Sequence, residues 1–185
     1  MEDAATIINM RGERVALGPL HAGLLPMILR WGNDLRTSEF SGADPRPRTP
    51  EAVAAVWEPL LCGERADWLG FAIYALPDLR PIGHANVRDF TNAHGTAELG
   101  ITIGEVCERG RGYGTEAVQL LTGYAFEHLN VWNIWLDTAA YNLAAIRAYE
   151  KAGFREIGRR RGARVLAGRR YDIVLMDCTR EDVAG

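Results

Sequence analysis

The stretch ELGITIGEVCERGRGYGTEA, residues 98–117, constrains this chain most. It reads as a short strand, a loop holding Gly110, Gly112 and Gly114 beside Arg109 and Arg111, and the start of a helix. Glycines let backbone N–H groups come close to a ligand, and the first turn of a helix offers unpaired amides and the positive end of its dipole. Such a segment suits an anion, above all a phosphate. A plain tight turn would use the same glycines. Two nucleotide readings compete for it. Gly112, Gly114 and Ala117 fit a G-x-G-x-x-A dinucleotide fingerprint, with Asp137 about 20 residues on as a ribose-binding acid. That motif starts past residue 110, however, and leaves too little chain for the second half of a doubly wound sheet. A P-loop is excluded because no Gly-Lys-Ser/Thr follows.

Around this segment the chain alternates strands and helices. Arg14 to Leu17 reads as a strand, and Leu20 to Trp31 as a helix with Pro26 near its start or at a break. Thr49-Pro50-Glu51 has the order of a helix start, with a capping hydroxyl, a first-turn proline and an acid suited to the dipole. That helix is expected to reach Leu61 and end near Gly63. The proline-rich run 42–50 before it is expected to be an ordered loop or a flap. Asp67–Leu76 and Ile82–Thr91 read as strands joined by a turn at Pro77-Asp78. In the second half, Ala117, Leu120, Leu121, Tyr124 and Ala125 recur at helical spacing from Gly112 to Leu129. Asn133–Ala139 follows as a strand, then a helix from Leu143 to Ala152 ended by Gly153. Phe154–Arg159 and Tyr171–Cys178 close the chain as a strand pair. The expected fold is α+β, one domain over residues 1–185 with a mixed, mostly antiparallel sheet flanked by helices.

Hydrophobic residues make up 48% of the chain and charged residues 24%, the balance of a soluble globular protein. No run approaches the ~18 apolar residues of a membrane span, and the acidic start MEDAATI does not resemble an export signal. The expectation is a cytoplasmic protein with no membrane partner. A net charge of −3 gives no reason to expect nucleic acid. Cys62, Cys107 and Cys178 are three in number and lack metal-ligand spacing, so free thiols and no metal are expected. His84 and His94 have no identifiable triad partner, and nothing beside Cys107 forms a Cys-His pair. The six arginines of GRRRGARVLAGRR, 158–170, are expected on a solvated hairpin turn, with a phosphate contact as the alternative.

Three segments in order, RGRGYG (109–114), YAFEHLN (124–130) and YNLAAIRAYEKAGF (141–154), resemble the GNAT superfamily of N-acetyltransferases. These segments look like the branch that contains ribosomal-protein N-terminal acetyltransferases and spermidine acetyltransferases. The resemblance implies a strand-splayed fold, acetyl-CoA as donor and direct acetyl transfer to a primary amine. The acceptor would be a protein N-terminus, a polyamine, or an amine-bearing antibiotic or metabolite. It maps the pyrophosphate onto Arg109, Gly110, Arg111, Gly112, Tyr113 and Gly114, with Thr115 opening the helix. It maps the pantetheine arm onto Ile101, Thr102 and Ile103, with Asn142 contacting that arm. Tyr149 becomes the proton donor to the departing thiolate, and Glu98 the base acting through water. Residues 96–178 would hold acetyl-CoA, and residues 1–95 would shape the acceptor side, with Trp31, Asp34, Glu39 and Phe40 in its pocket. Homodimerisation is a further expectation from the resemblance. A non-catalytic acyl-CoA-binding domain is the competing class, although such a module has no need of a proton donor at Tyr149.

Overall fold

Strands whose apolar residues run almost without interruption are covered on both faces, and the segments 15–18 and 71–75 of this sheet are built that way. The computed structural model describes residues 6–42 and 46–183. Residues 43–45 of the expected proline-rich loop lie outside them. The strands are β1 (Met10–Arg11), β2 (Val15–Pro19), β3 (Trp68–Ala75), β4 (Arg80–Arg88), β5 (Thr96–Ile103), β6 (Asn133–Ala139), β7 (Arg155–Leu166) and β8 (Arg169–Thr179). The helices are α1 (Leu25–Asn33), α2 (Leu35–Ser41), α3 (Pro50–Leu61), α4 (Tyr113–His128), α5 (Leu143–Lys151) and α6 (Arg180–Val183). All eight strands form one sheet in the order β1-β2-β3-β4-β5-β6-β8-β7. Every neighbouring pair is antiparallel except β5 and β6.

Alternation along a strand decides which layer each side chain joins. Val15 and Leu17 of β2 and Phe71, Ile73 and Ala75 of β3 pack with Ala117, Leu121 and Ala125 of α4. Their neighbours Ala16, Ala72 and Tyr74 point to the other face, onto Ile28 and Trp31 of α1 and Val53 of α3. The periodic stripe on α4 is therefore the seam of the larger core. Leu121 in it is fully buried, a burial that contributes about 1.5–3 kcal/mol for a side chain of this size.

Helix ends follow the chemistry of their caps. Thr49 accepts the Ala52 N–H at 3.2 Å to start α3, with Pro50 opening the helix. Asp34 caps α2 through the Arg36 N–H at 2.9 Å. Asn142 caps α5 by accepting from the Ala145 N–H at 3.2 Å. The region expected as one helix from Leu20 instead holds a single 3-10 turn, Ala22–Leu24, and α1 begins at Leu25 with Pro26 in its first turn.

The arginine-rich run departs from expectation. It is not a turn: β7 continues through Arg159, Arg160, Arg161 and Arg164 to Leu166. Only Ala167 and Gly168 make the turn, with φ of 49° and 76°. Both positive values match the two-residue hairpin geometry favoured by strand twist. β7 is an edge strand, and its arginines keep long charged side chains on an edge that would otherwise invite pairing.

Candidate active site

The site forms where β5 and β6 part. The two strands pair in parallel at Thr96–Asn133, Ala97–Ile134 and Glu98–Trp135. Beyond Glu98, β5 runs on to Ile103 beside β4, while β6 runs on to Ala139 beside β8. The wedge between them opens two clefts, of about 480 and 430 Å³. Phe40, Ser41, Ile101, Thr102 and Tyr149 line both.

The glycine loop borders the first cleft through Arg109, Gly110, Gly112, Gly114 and Thr115. Gly112 is the N-cap of α4 with φ +85°, a left-handed conformation that glycine reaches without a Cβ clash. The Glu116 N–H bonds back to Gly112 O at 3.1 Å. The amides of Tyr113, Gly114 and Thr115 therefore precede the first intrahelical donor, the Glu116 N–H, and point out of the helix end. Ile101, Thr102 and Ile103 complete one wall, and Asn142, Ala145 and Tyr149 the other. Tyr113 packs against the larger core instead. A strand edge without a partner and a helix end rich in free N–H groups fit an extended acyl chain ending in a diphosphate.

Arg109 sits differently from the expected phosphate contact. Its guanidinium donates to Ile103 O at 3.1 and 3.0 Å, to Arg36 O at 2.9 Å and to Thr37 Oγ1 at 3.0 Å. It lies 5.8 Å from the centroid of the Phe40 ring, and burial lowers its pKa. The side chain is a strut between the glycine loop and α2, with its donors spent on Ile103, Arg36 and Thr37, while the backbone amides and exposed Arg111 remain on the loop. Arg111 pairs with Glu108 at 3.3 Å, and Glu108 pairs with Arg80 at 2.9 Å. Sequence reasoning missed buried Glu108, which holds two guanidiniums at the edge of the first cleft.

Tyr149 is 8% exposed on α5, its ring packed on Phe154 at 6.2 Å. Burial, then the nearby Asp137 charge, pushes its pKa up to about 12. The phenol therefore keeps its proton at every physiological pH. Asn142 spends Oδ1 on the cap, while Nδ2 donates to Thr138 Oγ1 at 3.3 Å and Phe40 O at 3.4 Å.

Glu98 lines the second cleft, where Arg88 from β4 pairs with its Oε1. Asp137 shares that cleft. Glu39 and Phe40 lie on its rim, and Tyr141 donates to Glu39 O at 2.7 Å. Trp31 does not line either cleft. It is buried in the smaller core, donates to Glu105 Oε1 at 3.0 Å, and fills the space that a Cβ on Gly104 would need. Asp34 is likewise absent from both walls; it caps α2 and pairs with Arg36 at 2.7 Å. The sequence reading missed Trp57, Trp68, His84 and Asn86 on the second wall. The available signal was the polar alternation 84, 86, 88 along an otherwise buried strand.

Among the described residues there is no cluster of His, Cys, Asp and Glu able to hold a metal ion, and no helix is long and apolar enough to cross a membrane.

Known proteins align with this arrangement. "Probable N-acetyltransferase YjcK" of Bacillus subtilis (strain 168) is 33% identical over 96 residues, 51% of this chain and 52% of its own length. A kanamycin resistance protein of Rhizobium radiobacter is 39% identical over 57 residues, 31% of this chain and 53% of its own. The matches thus span about half the length of these curated relatives. The spermidine N-acetyltransferase of Vibrio cholerae, solved with CoA and spermine, superposes with a TM-score of 0.83 at 21% identity, covering 92% of this chain and 98% of that one. At that identity the likeness shows the fold. The family model for the acetyltransferase (GNAT) domain matches residues 14–155, which is most of the chain, and with the parted strands and the glycine loop it places this protein in the GNAT acetyltransferase family.

Proposed function

We propose that this protein transfers acetyl from acetyl-CoA directly to an amine, with the donor in the first cleft and the acceptor in the second. The observation that carries this reading is that the two clefts meet at Tyr149 and at Ile101 and Thr102 of the parted strand. Donor and acceptor can therefore approach from opposite sides without a covalent enzyme intermediate. A single binding module would need only one of them.

Bound acetyl-CoA supplies an activated thioester. The amides at the start of α4 hold the diphosphate, and the unpaired edge of β5 from Ile101 to Ile103 aligns the acyl arm. Tyr149, kept protonated by burial, gives its proton to the departing sulfur. The amine must also lose a proton. An alkyl ammonium with a pKa of about 10.4 is neutral at pH 7 only at a cost of roughly 4–5 kcal/mol. Glu98, at the point where the strands separate, takes that proton through water, and Asp137 adds a second carboxylate beside Tyr149.

Thiol release from acetyl-CoA with an amine panel tests this. Tyr149→Phe is expected to lower kcat at least about ten-fold, within the range of a positioned acid, while acetyl-CoA affinity stays within two-fold. An unchanged kcat removes Tyr149 from the mechanism.

A further inference from the structure

The second cleft carries more information than a place for an amine. Its floor is one face of β4 and β5, where three cross-strand pairs stand in a row: His84 with Thr102, Asn86 with Gly100, and Arg88 with Glu98. Gly100 makes room there, because a Cβ at that position would lie 2.9 Å from Asn86 Nδ2. Asn86 Oδ1 and His84 Nδ1 are both buried without a hydrogen-bond partner among the described residues. An unmatched buried polar atom is costly; Asn86 Oδ1 can only accept and neutral His84 Nδ1 accepts in one of its tautomers, so this floor suits an occupant that brings a donor.

The wall above is aromatic. Trp57 of α3 meets Trp68 edge-on at 6.2 Å and His84 at 5.1 Å. Burial lowers the His84 pKa to about 4, so the ring is neutral at neutral pH and does not repel a cation. Leu60 and exposed Val56 extend this apolar side towards solvent.

Charge in the cleft is nearly balanced. Glu39, Glu98 and Asp137 face Arg88 and Arg164, which leaves one net negative charge. Glu98 is already matched by Arg88, and Arg164 donates to Gly42 O at 2.8 Å, which fixes its charge at the cleft. A site for several ammonium groups needs an excess of carboxylates, and this one lacks it.

We infer that the acceptor is a monoamine on a flat aromatic or apolar body, that Trp57 and Trp68 hold this body, and that Asn86 orients the amine; a polyamine or aminoglycoside is not the preferred substrate. The inference rests on the acetyl-transfer reading above and names its acceptor class.

The test measures thiol release at saturating acetyl-CoA with tryptamine, phenethylamine, spermine and kanamycin, and acetyl-CoA binding separately by calorimetry. Tryptamine or phenethylamine is expected to exceed spermine and kanamycin in kcat/KM by about ten-fold or more, the scale of a well-packed aromatic contact. Trp57→Ala is expected to raise the KM of the aromatic amine about ten-fold with the acetyl-CoA KM unchanged, and Trp57→Phe to restore most of the loss. Asn86→Leu is expected to raise the same KM while Tm holds. Preference for spermine or kanamycin, release with none of the four amines, or a Trp57→Ala enzyme with unaltered KM overturns the inference. Failure to bind acetyl-CoA overturns the donor-site reading itself and is seen in the calorimeter alone.

Discussion

Arg109 offers a sharp test of what holds the two clefts together. One guanidinium serves Ile103 O, Arg36 O and Thr37 Oγ1, and so ties the end of β5 to α2, whose Phe40 lines both clefts. Arg109→Met keeps most of the stem and removes every donor. Each hydrogen bond to a charged group is worth about 1.5–3 kcal/mol, but this side chain is only half-buried and water can reach the freed carbonyls, so about 1 kcal/mol for each of the three acceptors is the fairer figure. A loss near 3 kcal/mol lowers Tm by about 6–12 °C in a domain of this size. Circular dichroism melts, with and without acetyl-CoA, read this directly. Turnover is expected to fall as well, because α2 carries Phe40. If instead Tm stays within about 2 °C while acetyl-CoA affinity drops ten-fold or more, the guanidinium serves the phosphate and the strut is wrong.

Three further outcomes follow from the same contacts. His84 binds its proton at pH about 4 when folded against 6.5 for the free side chain, so the unfolded chain protonates first and stability falls as pH drops through that window. The loss is at most about 3 kcal/mol, and urea titrations of His84→Leu are expected to be flatter between pH 6.5 and 4 than those of the parent. Gly104→Ala places a Cβ 2.1 Å from a Trp31 ring atom in a packed core, an overpacking worth about 1–3 kcal/mol; an unchanged Tm would show that the ring has room to move. Glu98→Gln is expected to lower kcat with the amine at least about ten-fold while acetyl-CoA affinity holds, and an unchanged kcat assigns the base elsewhere, with Asp137 next to be tested.

The second half of the chain was legible because local chemistry there agrees with the fold. The glycine loop, the stripe on α4, the Asn142 cap and the Gly153 stop each specify a backbone state on their own, and β6 spans the residues its apolar pattern indicated. The acceptor side was less legible. α2 is a seven-residue helix whose carbonyls at Arg36, Glu39 and Phe40, with that of its C-cap Gly42, accept from Arg109, Tyr141, Asn142 and Arg164, all distant in sequence. Apart from the Asp34 cap, no window around residues 35–41 contains the contacts that stabilise it. Trp31 and Asp34 were misplaced for the same reason: position near a pocket does not tell a core ring or a helix cap from a wall. The arginine run deceived in the opposite sense, since charge suggested a turn where pairing with β8 makes a strand.

The dinucleotide reading shows why a local motif could not settle the function. Strand, glycine turn and helix are present here as that fingerprint requires, and a phosphate at the helix end is common to both readings. What separates them is the neighbour of the strand. In a doubly wound sheet the strand before the loop keeps parallel partners along its length, and its ligand lies across the sheet's end. Here β5 holds its parallel partner for three residue pairs and then leaves it, so the edge from Leu99 to Ile103 faces open space in the middle of the sheet. That gap admits an extended chain through the sheet rather than across its end. It also exposes the β4 face bearing His84 and Asn86 on the far side. In the proposed reading, one parting of two strands thus provides the donor's channel, the acceptor's floor and their junction at Tyr149. If a substitution closed it, for example by extending β5–β6 pairing past Glu98, both binding functions would be lost together. Selective damage to either one has to come from the walls.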